Sequence, residues 1–148
     1  MGACRPTHQE REMTMRTRFT LIALLTALVA VVLAGCSSDG ATLETVEPDA
    51  AATIIVENPE AIILDIRTPE EYRDGIIEGA VNIDFYEADF ADKLDALNKD
   101  ASYVVYCRSD NRSGQAMSTF ADLGFQQVTE VDGGIANWYE QGLPVVLP

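Results

Sequence analysis

Between Glu47 and Gln141, four short apolar runs alternate with helical segments. The runs are 61–65 (Ala-Ile-Ile-Leu-Asp), 80–83, 102–106 and 127–131. Their length and branching are those of buried strands. Glu47-Pro48-Asp49 opens a helix that runs to about Val56, with Pro in its first turn, and Asn58-Pro59 ends it. Thr68-Pro69-Glu70-Glu71 is a capping-box pattern, and its short helix stops near Asp74-Gly75. Asp89 to Leu97 places Phe90, Leu94 and Leu97 on one helical face. Ser113 to Leu123 is a fourth helix. After the turn Gly133-Gly134, a last one runs from Ile135 to Gln141 and closes at Gly142. Strands that alternate with helices predict an α/β fold: a parallel central sheet, helices on both faces, one domain. Ligands in such sheets bind beyond the C-terminal ends of the strands.

One strand ends in a chemically loaded loop, Cys107-Arg108-Ser109-Asp110-Asn111-Arg112-Ser113. A cysteine between a strand end and a helix start meets loop N–H groups and the positive end of the helix dipole, and two guanidinium groups stand close by. This arrangement favours a thiolate in an anion pocket. The other cysteines, Cys4 and Cys36, and the single histidine, His8, all lie near the N-terminus. With that segment processed, Cys107 is the lone free thiol, without a disulfide partner or a histidine base. Its activation has to come from the loop.

The N-terminus reads as an address. Arg16 and Arg18 precede the apolar run Phe19 to Ala34, which is somewhat short for a membrane span of about 20 residues. It ends in Leu33-Ala34-Gly35-Cys36, which resembles the bacterial lipobox. The resemblance implies cleavage before Cys36, lipidation of that sulfur and attachment to the extracytoplasmic face of the cell membrane. A plain secretory signal or an uncleaved anchor are the alternatives. Glu10 and Glu12 are unusual ahead of such a run and suggest a start at Met13 or Met15. The expected organisation is a signal peptide over 1–35, a lipidated tether over 36–46 and a folded domain over 47–148. Without residues 1–35, the chain has six basic and twenty-two acidic residues, a net charge of −16. Such acidity argues against nucleic acid as a partner and against steering of anionic substrates from a distance.

Taken together, four ordered segments resemble the rhodanese-like domain family over about residues 45–146. They are Leu64-Asp65-Ile66-Arg67-Thr68-Pro69-Glu70-Glu71-Tyr72, Gly75 to Ile83, the loop Val104 to Ser113, and Val131-Asp132-Gly133-Gly134-Ile135-Ala136-Asn137-Trp138 with Gly142-Leu143-Pro144-Val145. The resemblance implies a sulfurtransferase. Cys107 takes sulfane sulfur from a small donor such as thiosulfate, becomes a persulfide, and passes the sulfur to a thiophilic acceptor. The amides from Arg108 to Ser113 form the cradle, Arg112 braces loop and anion, and Arg108 points outward to receive the donor. Ser113 is expected to cap the following helix. Four residues separate Cys107 from Arg112. Phosphatases with a similar loop carry one residue more, so the length favours sulfur chemistry.

Three positions depart from the family pattern: Asp110 replaces a glycine, Ile76 a histidine and Glu78 a proline. Asp tolerates a left-handed backbone, but a carboxylate beside the sulfur repels an anionic donor. Asp65 and Arg67 read as a structural brace, Trp138 as core, and Phe85 and Tyr86 as edge packing or pocket lining. No Cys/His cluster or Gly-rich phosphate loop points to a metal or nucleotide cofactor, and the domain is expected to act as a monomer. Two rival readings stay open: a rhodanese-fold binding or sulfur-carrier module at the membrane surface with little turnover, and a redox-sensing thiol.

Overall fold

A computed structural model describes residues 40–148. The signal peptide, Cys36 and the first part of the tether lie outside the described residues. In chain order the elements are β1 (Thr42–Val46), α1 (Pro48–Glu57), β2 (Ile62–Asp65), α2 (Pro69–Arg73), β3 (Val81–Asn82), α3 (Phe90–Asp95), β4 (Ser102–Tyr106), α4 (Asn111–Asp122), β5 (Gln127–Val131) and α5 (Gly134–Glu140). The strands form one sheet in the order β1-β5-β4-β2-β3, and every pair is parallel.

Strand β4 lies at the centre, and its residues Tyr103 to Tyr106 are fully buried. Their alternation separates two cores. Tyr103, Val105 and Cys107 pack with Phe90 and Leu94 of α3 and Ala116 and Phe120 of α4. Val104 and Tyr106 face the other way, toward Ala51 of α1 and Trp138 of α5. A strand buried on both faces has to be apolar throughout, and this explains the unbroken run that the sequence shows. Among the described residues, no helix is long and apolar enough to cross a membrane.

The structure differs from the sequence reading at two places that matter. Segment 42–46 belongs to the sheet: it is the edge strand β1, in parallel register with β5 from Thr42↔Gln127 to Val46↔Val131. The fold therefore begins before residue 47. Strand β1 is Thr-Leu-Glu-Thr-Val, largely exposed, with two apolar residues that are only half-buried. An edge strand with one partner needs little apolar surface, so its pattern is that of a linker. Helix α4 starts at Asn111 instead of Ser113, with Asp110 at the cap position.

The topology also fixes where chemistry can occur. From β2 the chain moves outward to β3, whereas from β4 it moves the opposite way to β5. The loops after the neighbouring strands β2 and β4 diverge, and they leave a crevice at the C-terminal edge of the sheet, the usual ligand position in an open parallel sheet. Arg67 follows β2 there, and Cys107 follows β4.

Candidate active site

Cys107 is the first residue after the central strand and is 1% exposed. Its carbonyl accepts from the Ile135 N–H at 2.9 Å, and the Arg108 carbonyl accepts from the Ala136 N–H at 3.1 Å. Both acceptors point toward the first turn of α5. In a trans peptide the C=O and the next N–H point in opposite directions. The N–H groups of Arg108 and Ser109 are thereby turned away from α5. Among the described residues, none of the six backbone N–H groups from Arg108 to Ser113 has a protein acceptor. Arg108 to Asn111 are exposed, Arg112 and Ser113 are buried, and the first N–H groups of a helix have no partner within it. Here six consecutive ones stand at the N-terminus of a twelve-residue helix beside a sulfur, an arrangement that suits an anion.

The loop turns at Asp110, whose φ of 64° is the one positive value outside glycine among the described residues. Its carbonyl accepts from the Gly114 N–H at 2.7 Å. Its side chain makes no capping bond, is exposed, and forms no ion pair with Arg108 among the described residues. Arg108 and Ser109 are exposed as well. Asn111 opens the helix and accepts from Gln115 Nε2 at its carbonyl (2.8 Å) and Oδ1 (3.0 Å). Ser113, expected as the cap, is buried inside the helix. Its hydroxyl lies within donor reach of Cys107 Sγ at 3.4 Å and of the Asp110 carbonyl at 3.2 Å. The αL turn at Asp110 starts the helix early and frees Ser113 to face the thiol.

Arg112 braces the loop from an unexpected quarter. Its Nη1 and Nη2 donate to Glu71 Oε2 and Oε1 at 2.7 and 2.8 Å, and its guanidinium lies 5.5 Å from the Tyr86 ring centre. The paired bonds to Arg112 lower the Glu71 pKa to about 2, against the partial burial that raises it. Glu71 in turn raises the Arg112 pKa, with a smaller contribution from Cys107. This fork-to-fork pair is the strong form of a charge-assisted bond. It fixes a cation beside the sulfur. Glu71 meanwhile completes the capping box of α2, where the Thr68 N–H donates to Oε2 at 3.1 Å. One carboxylate thus ties the start of α2 to the Cys107 loop.

Asp65 and Arg67 form the buried brace read from the sequence. Arg67 Nε reaches both Asp65 oxygens at 2.9 Å, and Nη2 reaches Oδ2 at 2.5 Å and the Gly75 carbonyl at 2.7 Å. Burial lowers the Arg67 pKa, and the bond and charge of Asp65 outweigh it. Asn82 Nδ2 donates to the carbonyls of Asp65 and Arg67 at 2.9 and 2.8 Å, which ties β3 to the same corner. Trp138 is buried in the core. Phe85 packs against the α3–α4 core, while Tyr86 is 69% exposed over Arg112.

Sequence reasoning missed three contributors. Glu71 was visible as a capping residue only, because its partner lies 41 residues on. Asn82 was visible only as part of the strand 80–83 and of the family-like segment Gly75 to Ile83, without a role. Gly134 was read as half of a turn. In fact a Cβ there would stand 2.5 Å from the Cys107 carbonyl oxygen and 2.8 Å from the Arg108 carbonyl carbon. Its lack of a side chain lets α5 approach the loop backbone.

Comparison with known proteins agrees with this geometry. The family model described as "Rhodanese-like domain" matches residues 47–141. A sulfurtransferase from Allochromatium vinosum is 30% identical over 103 residues, covering 70% of this chain and 94% of the relative. Thiosulfate sulfurtransferase GlpE from Pseudomonas entomophila is 34% identical over 93 residues, covering 63% of this chain and 82% of the relative. A crystal structure of a rhodanese-related protein from Thermoplasma volcanium is similar with a TM-score of 0.61 and 32% identity, over 71% of this chain and 99% of that one.

Proposed function

The chain belongs to the rhodanese-like domain family, and from that premise we propose that it moves sulfane sulfur through a persulfide on Cys107. In the first half-reaction the Cys107 thiolate attacks the outer sulfur of a donor such as thiosulfate. A bond forms between Sγ and that sulfur, the donor's sulfur–sulfur bond breaks, and its electron pair leaves with sulfite. In the second, an acceptor thiolate attacks the terminal sulfur, and the electron pair of the broken bond returns to Cys107. Both half-reactions pass through an anionic sulfur at the loop. The single observation that carries the reading is the run of six uncommitted N–H groups around a buried cysteine at a helix N-terminus. Arg112, held by the ionised Glu71, keeps its guanidinium fixed at the loop as one half of an ion pair.

The test is intact mass of the purified full chain after incubation with thiosulfate or glutathione persulfide. An adduct of one sulfur atom that is lost in Cys107→Ser is expected. No adduct with either donor would sink the proposal. A second reading, a sulfur-carrier module with little turnover, is favoured by the exposed Asp110 carboxylate at the loop turn.

The proposed setting is the extracytoplasmic membrane face, through a lipid on Cys36. The reading rests on the sequence Leu33-Ala34-Gly35-Cys36. Mass analysis of the membrane-extracted chain should show an acylated N-terminal Cys36, and an unmodified chain that keeps residues 1–35 would overturn it.

A further inference from the structure

Tyr86 is 69% exposed, yet its place is closely fixed. Its N–H donates to Asp84 Oδ1 at 3.0 Å. The N–H of Phe85 donates to the Ile66 carbonyl at 3.2 Å, and the Phe85 and Phe90 rings meet with their centres 5.2 Å apart. Phe85 packs on the core cluster that contains Cys107, so this segment lies on the Cys107 side of the sheet. From that anchored turn the Tyr86 ring stands edge-on to Phe85, at 5.6 Å and 80°. Arg112 Cζ lies over the ring, 5.5 Å from its centre. A tyrosine so exposed contributes little to the core. What it touches is the arginine of the reactive loop.

We propose that Tyr86 is a positioning residue for anion capture at Cys107, acting through Arg112. The assignment deepens the sulfur-transfer reading, whose donor is an anion, but its test needs no sulfur transfer. Arg112 is 10% exposed at its side chain, and Glu71 grips it by Nη1 and Nη2. Glu71 balances its charge. What Arg112 offers an anion at the loop therefore depends on how the guanidinium is oriented, not on net charge. Its Nε–H is the donor that the pair leaves over, without a protein acceptor among the described residues. Arg112 also lies within electrostatic reach of Cys107. A fork alone lets the guanidinium swing on the carboxylate as on a hinge. A second contact away from the fork stops that motion, and the Tyr86 ring supplies it as a cation–π contact. The chain from Phe90 through Phe85 to Tyr86 thus ties the orientation of Arg112 to the α3 core.

The test is alkylation of Cys107 in the full chain by iodoacetate, an anion, and by iodoacetamide, its neutral analogue, read at the Cys107 peptide by mass. The ratio of the two rates reports anion capture at the loop and cancels changes in access to the thiol. In Tyr86→Leu the ratio should fall about threefold, as loss of an exposed cation–π contact gives. Tyr86→Phe keeps the ring without the hydroxyl and should match the wild type. In an Arg112→Gln chain, Tyr86→Leu should add nothing, because the ring then has no guanidinium to hold. A Phe variant that loses as much as the Leu one, or a full effect of Tyr86→Leu without Arg112, would overturn the assignment. So would an unchanged ratio in Tyr86→Leu, including one in which both rates shift together, since loosened packing alone does that. If neither thiosulfate nor glutathione persulfide leaves an adduct on Cys107, the sulfur-transfer reading fails, and the alkylation ratio still decides the role of Tyr86.

Discussion

At the scale of single residues, Asp110 combines two opposed properties. Its αL backbone makes the turn that aims the loop amides, and its side chain puts an exposed negative charge at the place where an anionic donor must arrive. The first property needs only a residue that accepts positive φ, which glycine does best. The second has no structural partner among the described residues. Asp110→Gly should therefore keep the turn and remove the repulsion. Two like charges near the surface cost about 1 kcal/mol, so kcat/KM for thiosulfate should rise about fivefold. Steady-state sulfite release measures it, and unchanged turnover would show that the carboxylate does not hinder the donor. The sequence showed this residue as a departure from the family pattern. It did not show that Asp110 advances the helix start and turns Ser113 toward the sulfur, because a helix start set by one αL residue leaves no trace in hydrophobic periodicity.

At the scale of elements, the loop is held by three neighbours, each through backbone or charge. Strand β4 delivers Cys107. Helix α2 grips Arg112 through Glu71. Helix α5 clamps the carbonyls of Cys107 and Arg108 with the N–H groups of Ile135 and Ala136. The last contact depends on Gly134, at φ 59° and against the loop backbone. Gly79 is a natural control, with φ 81° and nothing within 4 Å of an added Cβ. An alanine at Gly79 should cost about 1–2 kcal/mol for the left-handed backbone alone. Gly134→Ala should cost more, about 3 kcal/mol, because the neighbouring atoms are backbone and cannot swing aside. Chemical denaturation of the two variants gives the difference. Equal midpoints would mean that α5 does not need its close approach. The strands and helices themselves were legible from short apolar runs and capping signals. The clamps were not, since each joins residues far apart in sequence, and a paired Gly-Gly reads as a turn whether or not a backbone lies against it. Strand β1 escaped for a different reason: an edge strand that is mostly exposed carries no apolar signature.

At the scale of the whole molecule, local and global electrostatics oppose each other. The loop collects six N–H groups, a helix N-terminus and a guanidinium around one sulfur, within a chain whose part after residue 35 has a net charge of −16. The local field acts over a few ångströms, at a cysteine that is itself 1% exposed. The global field acts on an approaching dianion over a Debye length, which shrinks from about 30 Å at 0.01 M salt to about 8 Å at 0.15 M. Added salt should therefore remove the repulsion and spare the attraction. The second-order rate of Cys107 loading by thiosulfate is expected to rise severalfold over that range, the reverse of the salt dependence of an electrostatically steered encounter. A neutral reactant feels no such field, so transfer to 2-mercaptoethanol should change little. Stopped-flow measurement of both half-reactions separates the two. A loading rate that falls as salt is added would mean that the field of the loop reaches into solvent and outweighs the surface around it.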